Sequence, residues 1–171
     1  MTDLASYIRD VPDFPKPGIV FKDITPLLAD PKALAGAVDE LAARVEPMRP
    51  DIVLGAESRG FILGPALAIR LGVGFAIARK PGKLPWKTVT ASYALEYGED
   101  SLELHDDAIA EGMRVVVHDD LLATGGTARA TCDLAEALGG TVTGCAFLIE
   151  LSFLGGRARL EPLPVESLIT Y

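Results

Sequence analysis

The run Val115-Val116-Val117-His118-Asp119-Asp120-Leu121-Leu122-Ala123-Thr124-Gly125-Gly126-Thr127-Ala128 constrains this chain more than any other segment. Three consecutive apolar residues predict a buried strand, two adjacent carboxylates stand at its carboxyl end, and a Thr-Gly-Gly-Thr turn leads into a helix. Glycines let successive backbone N–H groups close around an anion, and the following helix adds the positive end of its dipole. Two acids beside a phosphate would repel it unless they served another part of the same ligand. Vicinal ribose hydroxyls fit, because ionised carboxylates only accept and each hydroxyl supplies a donor. The same residues would also read as a solvated acidic turn before a helix capped at Thr124 or Thr127.

The rest of the chain extends this strand–turn–helix unit into an alternating pattern. After a short amphipathic segment around Leu4 to Ile8, Pro12, Pro15, Pro17 and Pro26 are expected to hold Val11 to Leu28 largely out of helix, as an ordered loop or hood. Asp30-Pro31 starts a helix whose Leu34, Val38, Leu41 and Val45 recur at helical spacing up to Pro47. Ile52 to Leu54 predicts a strand, Phe61 to Leu71 a helix stopped by Gly72, and Val73 to Ala78 a second strand. Lys80 to Lys87 is a basic Pro/Gly loop, and Thr88 to Leu104 is β-rich with a turn expected at Gly98-Glu99-Asp100. Val115 to Val117, a helix over Thr127 to Leu138 and a strand over Val142 to Leu148 complete the pattern. Strands alternating with helices imply an α/β domain with a mostly parallel sheet and right-handed crossovers. Ligands of such sheets bind beyond the carboxyl ends of the strands, just after Leu54, Ala78, Val117 and Leu148.

Bulk composition excludes several functions. The 171 residues suit one domain spanning 1–171, and 49% apolar content can fill a core without disulfides. A net charge of −8 argues against a nucleic-acid partner, because phosphate backbones require broad basic surfaces. Cys132 and Cys145 fall in a predicted helix and strand and are expected to be buried free thiols. No stretch of 18 apolar residues and no leader pattern occurs, so a soluble cytoplasmic protein with no membrane partner is expected.

The strand, acidic pair and glycine turn together resemble the phosphoribosyl pyrophosphate (PRPP) motif of the type I phosphoribosyltransferases. That resemblance assigns the ribose hydroxyls to Asp119 and Asp120 and the 5′-phosphate to Ala123, Thr124, Gly125, Gly126 and Thr127. His118 departs from the apolar residue usual there and is expected to be a strand-end side chain rather than a catalyst.

Four further segments resemble the adenine phosphoribosyltransferase family: Asp13 to Ile24, Glu57-Ser58-Arg59-Gly60-Phe61, Arg79 to Pro85, and Ala91 to Gly98. Ser58 and Arg59 would bind pyrophosphate, with a cis peptide between Glu57 and Ser58, and an arginine fork suits pyrophosphate oxygens. Arg79, Lys80 and Lys83, with Lys87 nearby, concentrate positive charge for the same group, although such a loop could equally be solvated. The resemblance places Glu96 and Tyr97 on a mobile flap over residues 80–105 that closes on the reacting sugar. Glu96 would manage the proton that adenine loses, or stabilise developing positive charge. Val20, Phe21 and Lys22, in a hood over residues 1–30, would hold adenine with Leu151; many relatives carry arginine at the Lys22 position.

The resemblance implies the type I phosphoribosyltransferase fold, a homodimer, and the substrates adenine and PRPP, with Mg2+ carried by substrate rather than by a dedicated protein site. Within the superfamily, a xanthine, hypoxanthine or guanine enzyme and a non-catalytic nucleotide sensor are the alternatives. The sensor's extra nucleic-acid-binding element is missing, and the loop and flap motifs favour an enzyme.

Overall fold

The computed structural model describes residues 3–94 and 99–171. A short 3-10 turn, Leu4–Tyr7, leads into β1 (Arg9–Pro12), which pairs antiparallel with β2 (Val20–Asp23). The proline-rich hood is therefore a small hairpin rather than only a loop. It is followed by α1 (Thr25–Ala29), helix that the four prolines argued against. Pro26 lies in the first turn of α1, where no backbone N–H is needed, and Asp23 accepts from the Thr25 N–H and hydroxyl, both at 2.9 Å.

Helix α2 (Pro31–Val45) starts where Asp30 caps the Lys32 and Ala33 N–H groups, and it buries Ala33, Ala37, Leu41 and Val45. Then follow β3 (Ile52–Ala56), α3 (Gly60–Leu71) and β4 (Gly74–Ala78), with Gly72 left-handed at the end of α3. Strands β5 (Thr88–Ala94) and β6 (Glu99–His105) form the expected antiparallel insertion. Glu99 and Asp100, expected in a turn, belong to β6 instead, and Gly98 lies outside the described residues.

Strand β7 (Arg114–Leu122) runs well past Val117 and carries both carboxylates within it. Asp119 is opposite Phe147 in the parallel ladder to β8 (Thr141–Glu150), which prolongs the strand beyond its apolar run. His118 is consequently internal to the strand and fully buried, not a strand-end side chain. Helix α4 (Gly126–Ala137) separates β7 from β8, and an unanticipated strand β9 (Val165–Thr170) closes one edge of the sheet.

The main sheet has the order β4-β3-β7-β8-β9, and every pairing is parallel. Val116 packs toward α2 and α3 among Leu41, Leu63 and Leu67, whereas Val115 and Val117 pack toward α4 with Cys132, Leu134 and Phe147. Burial on both faces explains why the strand reads as a continuous apolar run. Leu102 and Leu104 of β6 are buried in the α4-side core, so the insertion's base is anchored. Arg79 and Glu103 exchange backbone hydrogen bonds of 2.9 and 2.7 Å, tying that insertion to the chain just after β4. Cys132 and Cys145 are buried and unbridged, with their sulfurs 3.7 Å apart. The chain crosses from one side of β3 to the other between β4 and β7, so a crevice opens between the carboxyl ends of β3 and β7.

Candidate active site

A cleft of about 420 Å³ lies at that crevice. The loop after β3 contributes Glu57, Ser58 and Arg59; β7 contributes Asp119 and Asp120; Ala123 to Ala128 form a third wall; and Lys80, Tyr93 and Asp100 face them from the insertion. Ser58, Arg59, Lys80, Asp119, Asp120 and the stretch Ala123 to Thr127, separated in sequence, thus meet in one place. The peptide between Glu57 and Ser58 is cis, as the family resemblance implied.

The glycine turn is held open by a second segment. Gly125 is left-handed, with φ +83°, and a Cβ there would meet the Gly156 carbonyl oxygen at 2.5 Å. A Cβ on Gly156 would meet the Ala123 carbonyl oxygen at 2.2 Å, so the Gly155-Gly156 segment is a backing plate for the loop. Sequence reading missed Gly156; its only local signal was the Gly-Gly pair. Among the described residues, no protein acceptor takes the backbone N–H groups of Thr124, Gly125, Gly126 or Thr127. These are the orphan donors of a helix start, directed at an anion-sized space.

Burial is the main influence on both carboxyls. It pushes Asp119 well above the ordinary carboxylate range, and the neighbouring Asp120 charge pushes it further. Burial also raises Asp120, while the Arg59 cation works against that rise. Arg59 Nε is 3.1 Å from Asp120 Oδ2, an ion pair without hydrogen-bond alignment, and among the described residues nothing donates a hydrogen bond to that buried oxygen. The Asp120 backbone N–H donates to Asp119 Oδ1 at 2.8 Å. Two carboxyls short of donors suit a ligand that brings hydroxyls, or hydroxyls and a hydrated cation.

Arg59 also links the carboxylates to the hood, its guanidinium lying 5.0 Å from the Phe21 ring centroid. Phe14 meets Phe21 edge to face at 5.2 Å, and Val20 is exposed. Lys22 is turned away: its ammonium donates to Asp10 Oδ1 at 2.7 Å and lies 3.7 Å from the Tyr171 ring centroid. Leu151, half-buried just past β8, donates its N–H to the Leu122 carbonyl at 2.9 Å.

The basic loop divides. Lys80 reaches the cleft, but Arg79 turns onto Glu57, with contacts of 3.1 and 3.3 Å, and its remaining nitrogen donates to the Lys83 carbonyl at 3.4 Å. Burial would lift the Glu57 carboxyl; the hydrogen bonds from Arg79 and the Lys80 N–H outweigh it and bring it below its usual range. Neither Arg79 nor Lys83 lines the cleft. Glu57, Tyr93 and Asp100 do, although no local pattern singled them out. Glu96 and Tyr97 lie outside the described residues.

A phosphoribosyl transferase domain matches residues 27–162. The curated adenine phosphoribosyltransferase of Symbiobacterium thermophilum is 59% identical over 169 residues, covering 99% of each chain. This chain belongs to the adenine phosphoribosyltransferase family. The adenine phosphoribosyltransferase of Thermoanaerobacter pseudethanolicus superposes with a TM-score of 0.97 at 53% identity, covering 99% of this chain and 98% of that one. The Saccharomyces cerevisiae adenine phosphoribosyltransferase, solved with adenine and an imino-altritol bisphosphate, gives 0.93 at 39% identity, covering 97% and 96%. The type I phosphoribosyltransferase fold expected from the sequence is the fold observed.

Proposed function

We infer that the protein converts adenine and PRPP to AMP and diphosphate, a pentosyl transfer that salvages the purine. The observation that carries this reading is the convergence of half-buried Asp119 and buried Asp120, the unpaired N–H groups of the glycine turn and Arg59 in one cleft. The yeast relative was solved with adenine and a bisphosphate in one complex, which supports the same pairing of base and sugar phosphate here.

The N–H groups from Thr124 to Thr127 take the 5′-phosphate without charge of their own, as an acidic chain requires. Asp119 and Asp120 accept from the ribose hydroxyls and so fix the sugar. Arg59 and Lys80 neutralise the diphosphate and Ser58 offers it a hydroxyl donor, with Arg79 and Lys83 supplying positive potential from behind it. Adenine attacks the anomeric carbon through a ring nitrogen, the bond to diphosphate breaks on the opposite face, and the nitrogen loses its proton to Glu96. Positioning and charge neutralisation supply most of the acceleration. Lys22 is committed to Asp10 and Tyr171, which supports base reading by backbone groups of Val20 to Lys22, with Phe21 and Leu151 as apolar walls.

Magnesium is part of this proposal. The orphaned Asp120 oxygen and the paired carboxyls fit a hydrated cation carried in by the substrate. Asp119 and Asp120 would hold its waters, and the ion would supply further neutralisation of the substrate's negative charge.

The protein is further proposed to be a cytoplasmic homodimer. Among the described residues no helix is long and apolar enough to cross a membrane. Ile62 and Ile69 on α3 are 45% and 81% exposed, an apolar face of the sort a second copy covers. Sedimentation at working concentration tests this, and a single-chain mass contradicts it. The activity itself is tested by following diphosphate release from PRPP with adenine and magnesium.

A further inference from the structure

Asp100 is the common acceptor for two insertion-side donors that line the cleft, and one of them reaches the opposite wall. The Lys80 ammonium contacts its Oδ2, and the Tyr93 hydroxyl donates to the same oxygen at 3.1 Å. Thr127 Oγ1 in turn donates to the Tyr93 hydroxyl at 3.4 Å. The Ser101 N–H donates to Oδ1 at 2.9 Å and fixes the carboxylate's orientation. Lys80, Tyr93, Asp100 and Thr127 all line the cleft.

A carboxylate in that position offers these donors what phosphate oxygens would offer them. It satisfies an ammonium, a phenol and, through the phenol, the threonine at the start of α4. Beside a diphosphate the same contact is weakened, because the carboxylate and the phosphate oxygens repel each other across the ammonium they share. We propose that Asp100 is a built-in competitor for diphosphate, holding Lys80 until the ligand displaces it and thereby setting the enzyme's affinity for diphosphate-bearing ligands. The proposal rests on the reading of the cleft as a phosphoribosyl transfer site.

Its consequence is a weaker grip on both the donor and the released product. An enzyme whose leaving group stays bound turns over slowly, so a carboxylate that reclaims Lys80 favours release. The Lys80 and Asp100 side chains are 40% and 28% exposed, which limits the effect to that of a partly screened ion pair.

Calorimetric titration with magnesium diphosphate tests the proposal on the full chain. Asp100→Asn is expected to bind about threefold tighter than the wild type, the scale of one such ion pair. Asp100→Ser, which differs in shape but also lacks the charge, should tighten binding likewise. Lys80→Met should weaken binding, and adding Asp100→Asn to Lys80→Met should recover little of it. Unchanged or weaker binding by both Asp100 variants overturns the proposal, as does the same tightening without Lys80, because removal of any negative charge would then suffice. Absence of diphosphate binding by the wild type would overturn the reading of the cleft itself, and the proposal with it.

Discussion

Arg59 Nε lies 3.1 Å from Asp120 Oδ2, joining the loop after β3 to the carboxylate on β7. The same guanidinium reaches the Phe21 ring of the hood, so one side chain touches the elements assigned to the base, the ribose and the diphosphate. Arg59→Met is expected to raise the KM for PRPP about tenfold or more, the scale of one charge-assisted contact. The pH profile gives a sharper readout. Arg59 holds the Asp120 carboxyl down, so its loss lets that carboxyl rise further, and the acid limb of kcat/KM should move to higher pH. An unmoved acid limb would separate Arg59 from Asp120.

His118 is buried beside the carboxylates, with Nδ1 2.9 Å from the Ala146 carbonyl and Nε2 without a partner among the described residues. Burial lowers its pKa from 6.5 to about 4. The unfolded chain therefore takes up this proton before the folded one, and stability falls as pH drops from about 6.5 to about 4. His118 accounts for about 3 kcal/mol of that fall. Val, an apolar residue that suits a buried strand, removes the titration. Stability of His118→Val measured at pH 7 and pH 4 should differ by correspondingly less than in the wild type; equal pH dependence would refute the assignment.

Gly156 touches no expected ligand group, yet a Cβ there would lie 2.2 Å from the Ala123 carbonyl oxygen. Gly156→Ala must push the glycine turn toward the cleft. A stability loss of about 2 kcal/mol is expected from overpacking. The KM for PRPP should rise about tenfold, because small misplacement of positioning groups is costly. Unchanged PRPP kinetics would show that the loop's shape does not depend on this contact.

Family resemblance gives Glu96 either the proton that adenine loses or the developing positive charge to manage, and its position lies outside the described residues. Glu96→Gln should lower kcat about a hundredfold, the low end for a proton-transfer group, while leaving the KM for PRPP within about twofold. Rapid-quench measurement of the chemical step distinguishes this loss from slower product release. A wild-type chemical rate would remove Glu96 from the reaction.

The parts of the site that were legible in the sequence are those encoded locally. Val115 to Ala128 announces a buried strand, paired acids and an anion-binding turn because strand, carboxylates and glycines follow one another without interruption. Ser58 and Arg59 were assigned by family resemblance, and their position after a strand end agreed with it. Gly156 was not found, because its reason for being glycine is the Ala123 carbonyl, far away along the chain. Glu57, Tyr93 and Asp100 were missed for a similar reason: each is defined by a partner on another element. Arg79 and Lys80 look equivalent in a basic loop, yet Glu57 draws Arg79 aside while Lys80 faces the cleft. Pro26 argued against helix as a residue type, although the first turn of α1 accommodates it. Strand β9 escaped notice because Val165–Thr170 mixes glutamate, serine and threonine with its apolar residues. It is an edge strand needing only partial burial, and its buried positions alternate.

The most direct measurement of the central claim is initial-rate diphosphate release from PRPP with adenine, hypoxanthine, guanine or xanthine, each with and without magnesium. The expected result is magnesium-dependent release with adenine at least about a hundredfold faster in kcat/KM than with any oxopurine, since unmatched polar edges are strongly rejected by a site that reads hydrogen bonds. Faster turnover of an oxopurine, or no release with any base, would contradict the assignment.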